Sequence, residues 1–178
     1  MPGSLPLDVS AVRDELTRHL PEGWNSLVDR EVDGKRSIPW QQDKNVLRYG
    51  KTLASRRVAR TIMLGSAPTV RQQNVRGIEA SRIRLGVVQP GEQIAVFNDA
   101  LGSLQNSLAY LYTNPSGDRF WYDTRPTLRK TVEDRATQFS ASEVEYEIER
   151  RMKKLRLEPP FKGIHICPAS SLDVPDDQ

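Results

Sequence analysis

Two short aromatic runs between Ser107 and Thr124 constrain the fold more than any other part of the sequence. This segment holds five of the chain's twelve aromatic residues, and the runs flank the sequence Asn-Pro-Ser-Gly-Asp. Asparagine, proline and glycine favour turns, and rings at every second position share one face of a strand. The segment therefore predicts a β-hairpin with Phe120 and Tyr122 on the face opposite to Trp121.

Three helical patterns precede this hairpin. Apolar residues recur at three- and four-residue spacing over Asp43–Leu64, Glu79–Val88 and Ile94–Leu108, as they do in amphipathic helices. Three helices followed directly by a hairpin make the order of a winged helix, in which the hairpin is the wing, although a plain α+β domain shares this order. We therefore predict a mostly helical α+β chain that contains a winged-helix-like module.

The sequence predicts flanking parts on both sides of this module. Residues 1–42 supply an N-terminal helix over Asp8–Leu20 and a connecting segment. Residues 43–138 form the winged-helix-like domain. Residues 139–178 supply a C-terminal helix and a strand.

The C-terminal part carries two recognisable signals. Ser140 and Glu143 have the spacing of a capping box, which predicts the start of a helix. The run Gly163–Cys167 predicts a strand. Because this strand has no partner close to it in the sequence, we expect the chain to lead into a further domain.

The composition excludes several classes of protein. No apolar run approaches the roughly 20 residues that a membrane-spanning helix needs, and no charged-then-apolar signal segment opens the chain. The single cysteine, Cys167, excludes an internal disulfide and a multi-cysteine zinc site. We expect a cytoplasmic protein that does not contact a membrane.

Positive charge is concentrated in one stretch of the chain. Residues 51–84 hold eight Lys or Arg residues and one acid. Guanidinium groups fork onto phosphate oxygens, so this stretch is a candidate contact for an anion, a phosphate or a nucleic acid. The candidate residues are Arg56, Arg57, Arg60, Arg71, Arg76, Arg82 and Arg84. The first three allow three interpretations: a solvated helix face, a contact to a nucleotide's γ-phosphate, or a contact to a DNA backbone.

The third predicted helix does not have the composition of a helix that reads DNA. Its outward positions carry Asn, Gln and Asp99, and no Lys or Arg lies between Arg84 and Arg119. Because cations at phosphates supply much of the affinity for DNA, we expect this helix to pack its Phe/Leu face inward. Candidate contacts at the wing are Arg119, Trp121, Arg125, Arg129 and Lys130. The alternation of the wing's rings favours core packing over stacking on bases.

No group of residues has the spacing of a catalytic or metal site. His165 and Cys167 lie two residues apart and supply two ligands at most, and a catalytic Cys–His pair also needs an activating environment. The glutamates at 143, 145, 147 and 149 alternate along a predicted helix, so they spread around it. We therefore predict no catalytic residue and no metal site.

Three stretches of the sequence resemble a known family. RRVARTIMLGSAPT (56–69), RGIEASRIRLGVVQPGE (76–92) and DRFWYDTRPTL (118–128) resemble a middle segment of the very large predicted ATPases catalogued as domain-of-unknown-function family 499. Members of that family are relatives of the AAA+ ATPases and are often associated with bacterial DNA modification and phage defence. The resemblance extends from about Leu5 to the C-terminus.

The resemblance implies that this chain is a domain next to an ATPase core. The chain has no G-x-x-x-x-G-K-[ST] loop to hold nucleotide phosphates. The resemblance therefore implies that ATP and Mg²⁺ bind in a core outside this segment, and that no cofactor binds within it. We expect a non-catalytic accessory domain that couples the ATPase core to neighbouring domains or partners. The alternative is a DNA-binding module that contacts phosphates through the Arg56–Arg84 stretch, and the oligomeric state stays open.

Overall fold

The computed structural model describes residues 1–66, 76–154, 165, 166, 168, 170, 172 and 174. Its contacts divide the chain into two compact units, Met1–Lys130 and Thr131–Gln178. The helices are α1 (Ser10–Thr17), α2 (Trp24–Leu27), α3 (Ile38–Asn45), α4 (Leu47–Gly50), α5 (Ala54–Gly65), α6 (Ala80–Val87), α7 (Ile94–Ser107), α8 (Leu128–Ala136) and α9 (Ala141–Met152). The strands are β1 (Ile78–Glu79), β2 (Leu111–Thr113) and β3 (Arg119–Tyr122). A 3-10 turn covers Pro2–Ser4 and a π-helical turn covers Val28–Asp33.

The single helix predicted over residues 43–64 is wrong, because the chain forms α3, α4 and α5 instead. Leu53 adopts a left-handed conformation with φ 51°, which L-residues rarely take within a helix. The break places the start of α5 beside Asp43. The Asp43 carboxylate accepts hydrogen bonds from the N–H groups of Ser55 (2.9 Å) and Arg56 (3.1 Å). The first N–H groups of a helix have no partner within it, so a residue of α3 caps α5.

The elements α5, β1, α6, α7, β2 and β3 follow one another in the order of a winged helix. The chain is mostly helical with a small antiparallel sheet of strand order β1-β3-β2, which confirms the predicted fold class. β2 pairs with β3 so that Leu111 lies opposite Tyr122 and Tyr112 opposite Trp121. The strand β1 was not predicted, because two residues are too short to show an alternating pattern.

The hairpin has a buried face and a partly exposed face, as its alternation predicted. Leu111, Phe120 and Tyr122 are buried in the core. The rings of Tyr112 and Trp121 stack on the other face, with centroids 5.9 Å apart. One face of the wing therefore covers the core, and the stacked rings on the other face stabilise the pairing of its two strands.

The centre of the first unit is α5, in which every residue from Ala54 to Met63 is buried. Helices α6 and α7 and strand β3 pack against it, and so do the turns at Pro2–Ser4 and Val28–Asp33. Leu7 and Val32 belong to the same hydrophobic cluster as the winged-helix residues. Residues 1–42 thus form one compact unit with the winged-helix elements.

In the second unit, α9 begins with the predicted capping box. The Ser140 hydroxyl accepts a hydrogen bond from Glu143 N at 3.3 Å, and the Glu143 carboxylate accepts one from Ser140 N at 2.8 Å. No residue of α8 or α9 is buried. The strand predicted at Gly163–Cys167 lies outside the described residues, apart from His165 and Ile166, which have no regular structure. Within the described ranges, no helix has both the length and the apolar character needed to cross a membrane.

Candidate functional site

Two of the predicted arginines, Arg56 and Arg60, share one buried cluster with two acids. The Nε groups of Arg56 and Arg60 donate to the two carboxylate oxygens of Asp33, each at 2.7 Å, and Asp33 is 0% exposed. Asp8 lies 3.3 Å from Arg56 and 3.4 Å from Arg60, and the ring of Trp40 covers the Arg56 guanidinium at 3.9 Å. Two guanidiniums thus face two carboxylates. They cannot contact an external phosphate unless these carboxylates are released.

The third arginine, Arg57, ties α5 to the segment between α6 and α7. It donates to the Glu92 carboxylate at 2.7 Å and to the carbonyl of Val87, and its guanidinium lies 5.0 Å from the centre of the Phe97 ring. Burial acts to raise the pKa of Glu92, but the hydrogen bonds from Arg57 and from Gln89 N–H lower it overall. Glu92 is therefore a charged partner for Arg57.

Of the three interpretations given above for these arginines, a solvated helix face does not fit their burial. A helix with charged residues on one side has the same sequence pattern whether water or a layer of acids covers that side. In this chain the N-terminal segment supplies the layer, since Asp33 is 23 residues from Arg56 and Asp8 is 52 residues from Arg60. The spacing rules for a helix relate residues three or four positions apart, so they cannot identify partners at these separations.

The rest of the predicted basic stretch does not share this arrangement. Arg82 and Arg84 are exposed on α6, and Arg84 Nε donates to Asn98 on α7 at 2.9 Å. Arg76 is half-buried, and Arg71 lies outside the described residues. The seven predicted contacts therefore do not form one exposed basic surface, because at least three of them are buried.

Two of the predicted wing contacts are tied to backbone carbonyls. Arg119 donates to the carbonyl oxygens of Arg76 and Gly77 at 3.1 and 3.0 Å. Arg129 donates to the carbonyl oxygen of Leu108 at 2.9 Å. These side chains therefore join the wing and the start of α8 to neighbouring segments of the first unit.

The tip of the wing carries negative charge. Asn114 donates to the Asp118 carboxylate at 2.6 Å, and this hydrogen bond lowers the pKa of Asp118. Of the remaining predicted wing residues, Trp121 and Lys130 are half-buried and Arg125 is exposed. A charged aspartate repels phosphate, so the tip itself does not favour a DNA contact.

Helices α3 and α4 cover one side of α7, the helix that would read DNA in a winged helix. Gln42 donates to the hydroxyls of Ser103 and Ser107 at 2.9 and 3.2 Å. Arg48 pairs with Asp99 at 2.8 Å. Polar side chains of α7, including Asp99, which was predicted to point outward, therefore make contacts within the chain.

An apolar groove opens between α6 and the start of α7. Its lining residues are Ser81, Arg84, Leu85, Val88, Gln89, Pro90 and Ile94. Leu85 is 80% exposed and Ile94 is 52% exposed. Leu85 was not among the site residues predicted from the sequence. The available signal was its spacing, because a residue two positions after Ile83 lies on the opposite side of a helix.

A buried carboxylate joins the N-terminal segment to the start of the hairpin. Glu31 accepts hydrogen bonds from the N–H groups of Ala109 and Tyr110 at 3.0 and 3.3 Å. Burial raises the pKa of Glu31, although the two N–H donors oppose this shift. Burial also raises the pKa of Tyr122 well above its ordinary value, and the charge of Glu31 adds to this effect. Among the residues that the structure describes, the Tyr122 hydroxyl has no hydrogen-bond partner.

In the second unit, α9 carries exposed apolar side chains beside paired charges. Phe139, Val144 and Ile148 line an open groove together with polar residues of the same helix. Glu147 pairs with Arg150 at 2.7 Å and with Arg151 at 2.8 Å. These hydrogen bonds lower the pKa of Glu147 to about 2, so α9 keeps this charge over the physiological range.

The described part of the chain shows no group of three or more His, Cys, Asp or Glu residues that could hold a metal ion. His165 is exposed, and Cys167 lies outside the described residues. Comparisons with protein-family models, curated proteins and solved structures found no match. The functional interpretation therefore depends on the residues of this chain.

Proposed function

We propose that this chain is a non-catalytic interaction domain whose groove between α6 and α7 binds a neighbouring protein domain. The observation that carries this proposal is the exposed apolar lining, with Leu85 and Ile94 in one groove. Burial of an exposed leucine or isoleucine side chain contributes about 1.5–3 kcal/mol. Single exposed apolar residues are common on protein surfaces, whereas several in one groove are typical of an interaction site.

The charges around the groove favour a protein over a nucleic acid. Arg84 lies in the groove lining and Arg82 is exposed on the same helix. From residue 87 to residue 117 the sequence has no Lys or Arg. An apolar groove with a few cations at one edge suits an amphipathic helix that carries acidic residues beside its apolar face.

The resemblance to the large predicted ATPases suggests which domain this partner belongs to. In this proposal the groove binds the ATPase core of the same polypeptide and transmits its movement to the domains that follow. The pairs that Arg56 and Arg60 make with Asp33 support such a role, because they tie the N-terminal segment to α5 and so make the first unit stiff. A stiff unit moves as one body when one of its surfaces is displaced.

The test is a pair of aspartate substitutions in the groove, Leu85→Asp and Ile94→Asp. We expect the double variant to bind a separately expressed ATPase core about 100-fold more weakly, since it loses about 1.5 kcal/mol at each position. Affinity is measured by isothermal titration calorimetry, and ATP turnover is measured in the full polypeptide. Circular dichroism confirms that the variant remains folded.

Leu47→Asp is the matched control, because Leu47 is 78% exposed on α4 and does not line the groove. It should bind the core as the unsubstituted chain does. Equal affinity for the groove variant and the control would contradict the proposal.

A fluorescent DNA duplex titrated at low salt tests the alternative. Duplex binding that weakens steeply with salt and is lost in Arg82→Ala/Arg84→Ala would favour a DNA-binding module instead.

A further inference from the structure

The helix α9 presents an apolar stripe along one side. Val144, Ile148 and Met152 recur at four-residue spacing, Val144 and Ile148 are exposed, and no residue of the helix is buried. Helices of this length are marginal in water and usually gain their stability from a packed apolar face. The stripe is therefore suited to packing against another helix.

The charges of α9 and its C-terminal end are segregated along the helix axis. The acids are Glu143, Glu145, Glu147 and Glu149, and the bases that follow are Arg150, Arg151, Lys153 and Lys154. The sign changes between residues 149 and 150. Acids in the first turn and bases in the last turn also complement the helix dipole. A parallel copy of such a helix meets like charges, whereas an antiparallel copy meets opposite charges.

We propose that α9 associates with α9 of a second copy of this chain in the antiparallel orientation. A two-fold axis near residue 149 brings Glu147 beside Arg151 of the second copy and Glu145 beside its Lys153. The same axis brings the two apolar stripes together. No residue of α9 lines the groove between α6 and α7, so this inference does not depend on the proposed function.

The area available to this contact sets its strength. The twelve residues of α9 span about 18 Å, and stable interfaces bury about 1,200–2,000 Å² in total. Two helices of this length bury less, so we expect a monomer–dimer equilibrium that is populated at high micromolar concentration. Its charge pairs are exposed and become screened in about 1 M salt, where the Debye length is about 3 Å.

The first experiment determines the orientation with single cysteines in a Cys167→Ser background. Glu149→Cys lies near the proposed two-fold axis, so oxidation should give a disulfide-linked dimer. The two copies of Ser142→Cys lie about 21 Å apart in the antiparallel arrangement, which is far beyond the ~4 Å between Cβ atoms that a disulfide needs. Dimer from the second variant at the same rate as from the first would overturn the antiparallel assignment.

The second experiment tests charge complementarity by sedimentation velocity at roughly 200 µM chain, a concentration at which weak pairs are populated. Glu145→Lys/Glu147→Lys makes the helix basic, and Arg151→Glu/Lys153→Glu makes it acidic. Each variant alone should sediment as a monomer, and an equimolar mixture should recover the dimer.

Glu15→Arg/Arg18→Glu is the matched control, because it reverses an exposed ion pair at the end of α1 and should leave the dimer unchanged. An unsubstituted chain that stays monomeric at this concentration would overturn the proposal. So would a mixture of the two charge variants that stays monomeric while both retain their helical circular dichroism. If either charge variant loses its helical circular dichroism, the rates of disulfide formation by Glu149→Cys and Ser142→Cys decide whether the helices associate in the antiparallel orientation.

Discussion

Replacement of Asp33 by alanine should strongly destabilise the first unit. Asp33 is fully buried. Its carboxylate accepts hydrogen bonds from Arg56 Nε and Arg60 Nε at 2.7 Å each. It also accepts one from the backbone N–H of Asp8 at 2.8 Å. The substitution leaves two buried guanidiniums with the half-buried Asp8 as their remaining carboxylate. The net charge of the cluster changes from zero to +1 in a largely buried region.

Loss of one partner from a buried ion pair costs about 3–5 kcal/mol, because the remaining charge is left without compensation. Single domains have a free energy of unfolding of about 5–15 kcal/mol, so Asp33→Ala removes a large share of it. With a urea dependence of about 2 kcal/mol/M, the midpoint of unfolding should fall by about 2 M.

The assay is equilibrium unfolding in urea, followed by tryptophan fluorescence and by circular dichroism. Asp29→Ala is the control in the same turn, since Asp29 pairs with Arg13 at 2.7 Å but its side chain is largely exposed. Exposed ion pairs contribute about 0–1 kcal/mol, so the control should move the midpoint by less than about 0.5 M.

A second substitution tests the reason for the loss. Arg60→Met in the Asp33→Ala background removes one unpaired charge and keeps most of the apolar side-chain volume. It should therefore recover part of the lost free energy of unfolding. The reasoning is refuted if Asp33→Ala costs no more than Asp29→Ala, or if Arg60→Met adds its full cost to that of Asp33→Ala.

Two further predictions follow from buried groups and close contacts. The pKa of Glu31 is raised above its ordinary value of 4.5, so its contribution to stability is fully present below that pH and is lost as the pH rises through the folded value. The free energy of unfolding of the unsubstituted chain should therefore fall relative to Glu31→Gln between about pH 4.5 and pH 7, and urea titrations that show a constant difference would contradict this. A Cβ at Gly86 would lie 2.6 Å from Thr61 Cγ2, so Gly86→Ala should cost about 1–3 kcal/mol. Gly102 has no atom within 4 Å of that position, so Gly102→Ala should stabilise α7 by up to about 1 kcal/mol. Thermal unfolding measures both glycine variants, and equal effects would argue against close packing of α5 and α6.

Much of the winged-helix order could be predicted from the sequence, because the signals involved are local. The alternation in the hairpin placed Phe120 and Tyr122 together on one face, the helical spacing placed Phe97 and Leu104 on the inward face of α7, and all four residues are buried. The capping box at the start of α9 was also predicted. Each of these features depends on residues within a few positions of one another, whose geometry is set by the period of a helix, a strand or a turn.

The candidate surfaces depended on partners that lie far apart in the chain. The helical pattern around Arg56 and Arg60 is the same with water or with Asp33 against it, and the tertiary structure places the aspartate there. The break at Leu53 arises because Asp43 caps α5, a contact that no helical period encodes. The exposure of Leu85 is likewise decided by which elements pack beside α6. The sequence by itself determined the elements whose signals are local, such as the hairpin, α7 and the start of α9, since those depend on neighbouring residues. The tertiary structure decided which charged and apolar faces are covered, since burial depends on segments that meet only after the chain has folded.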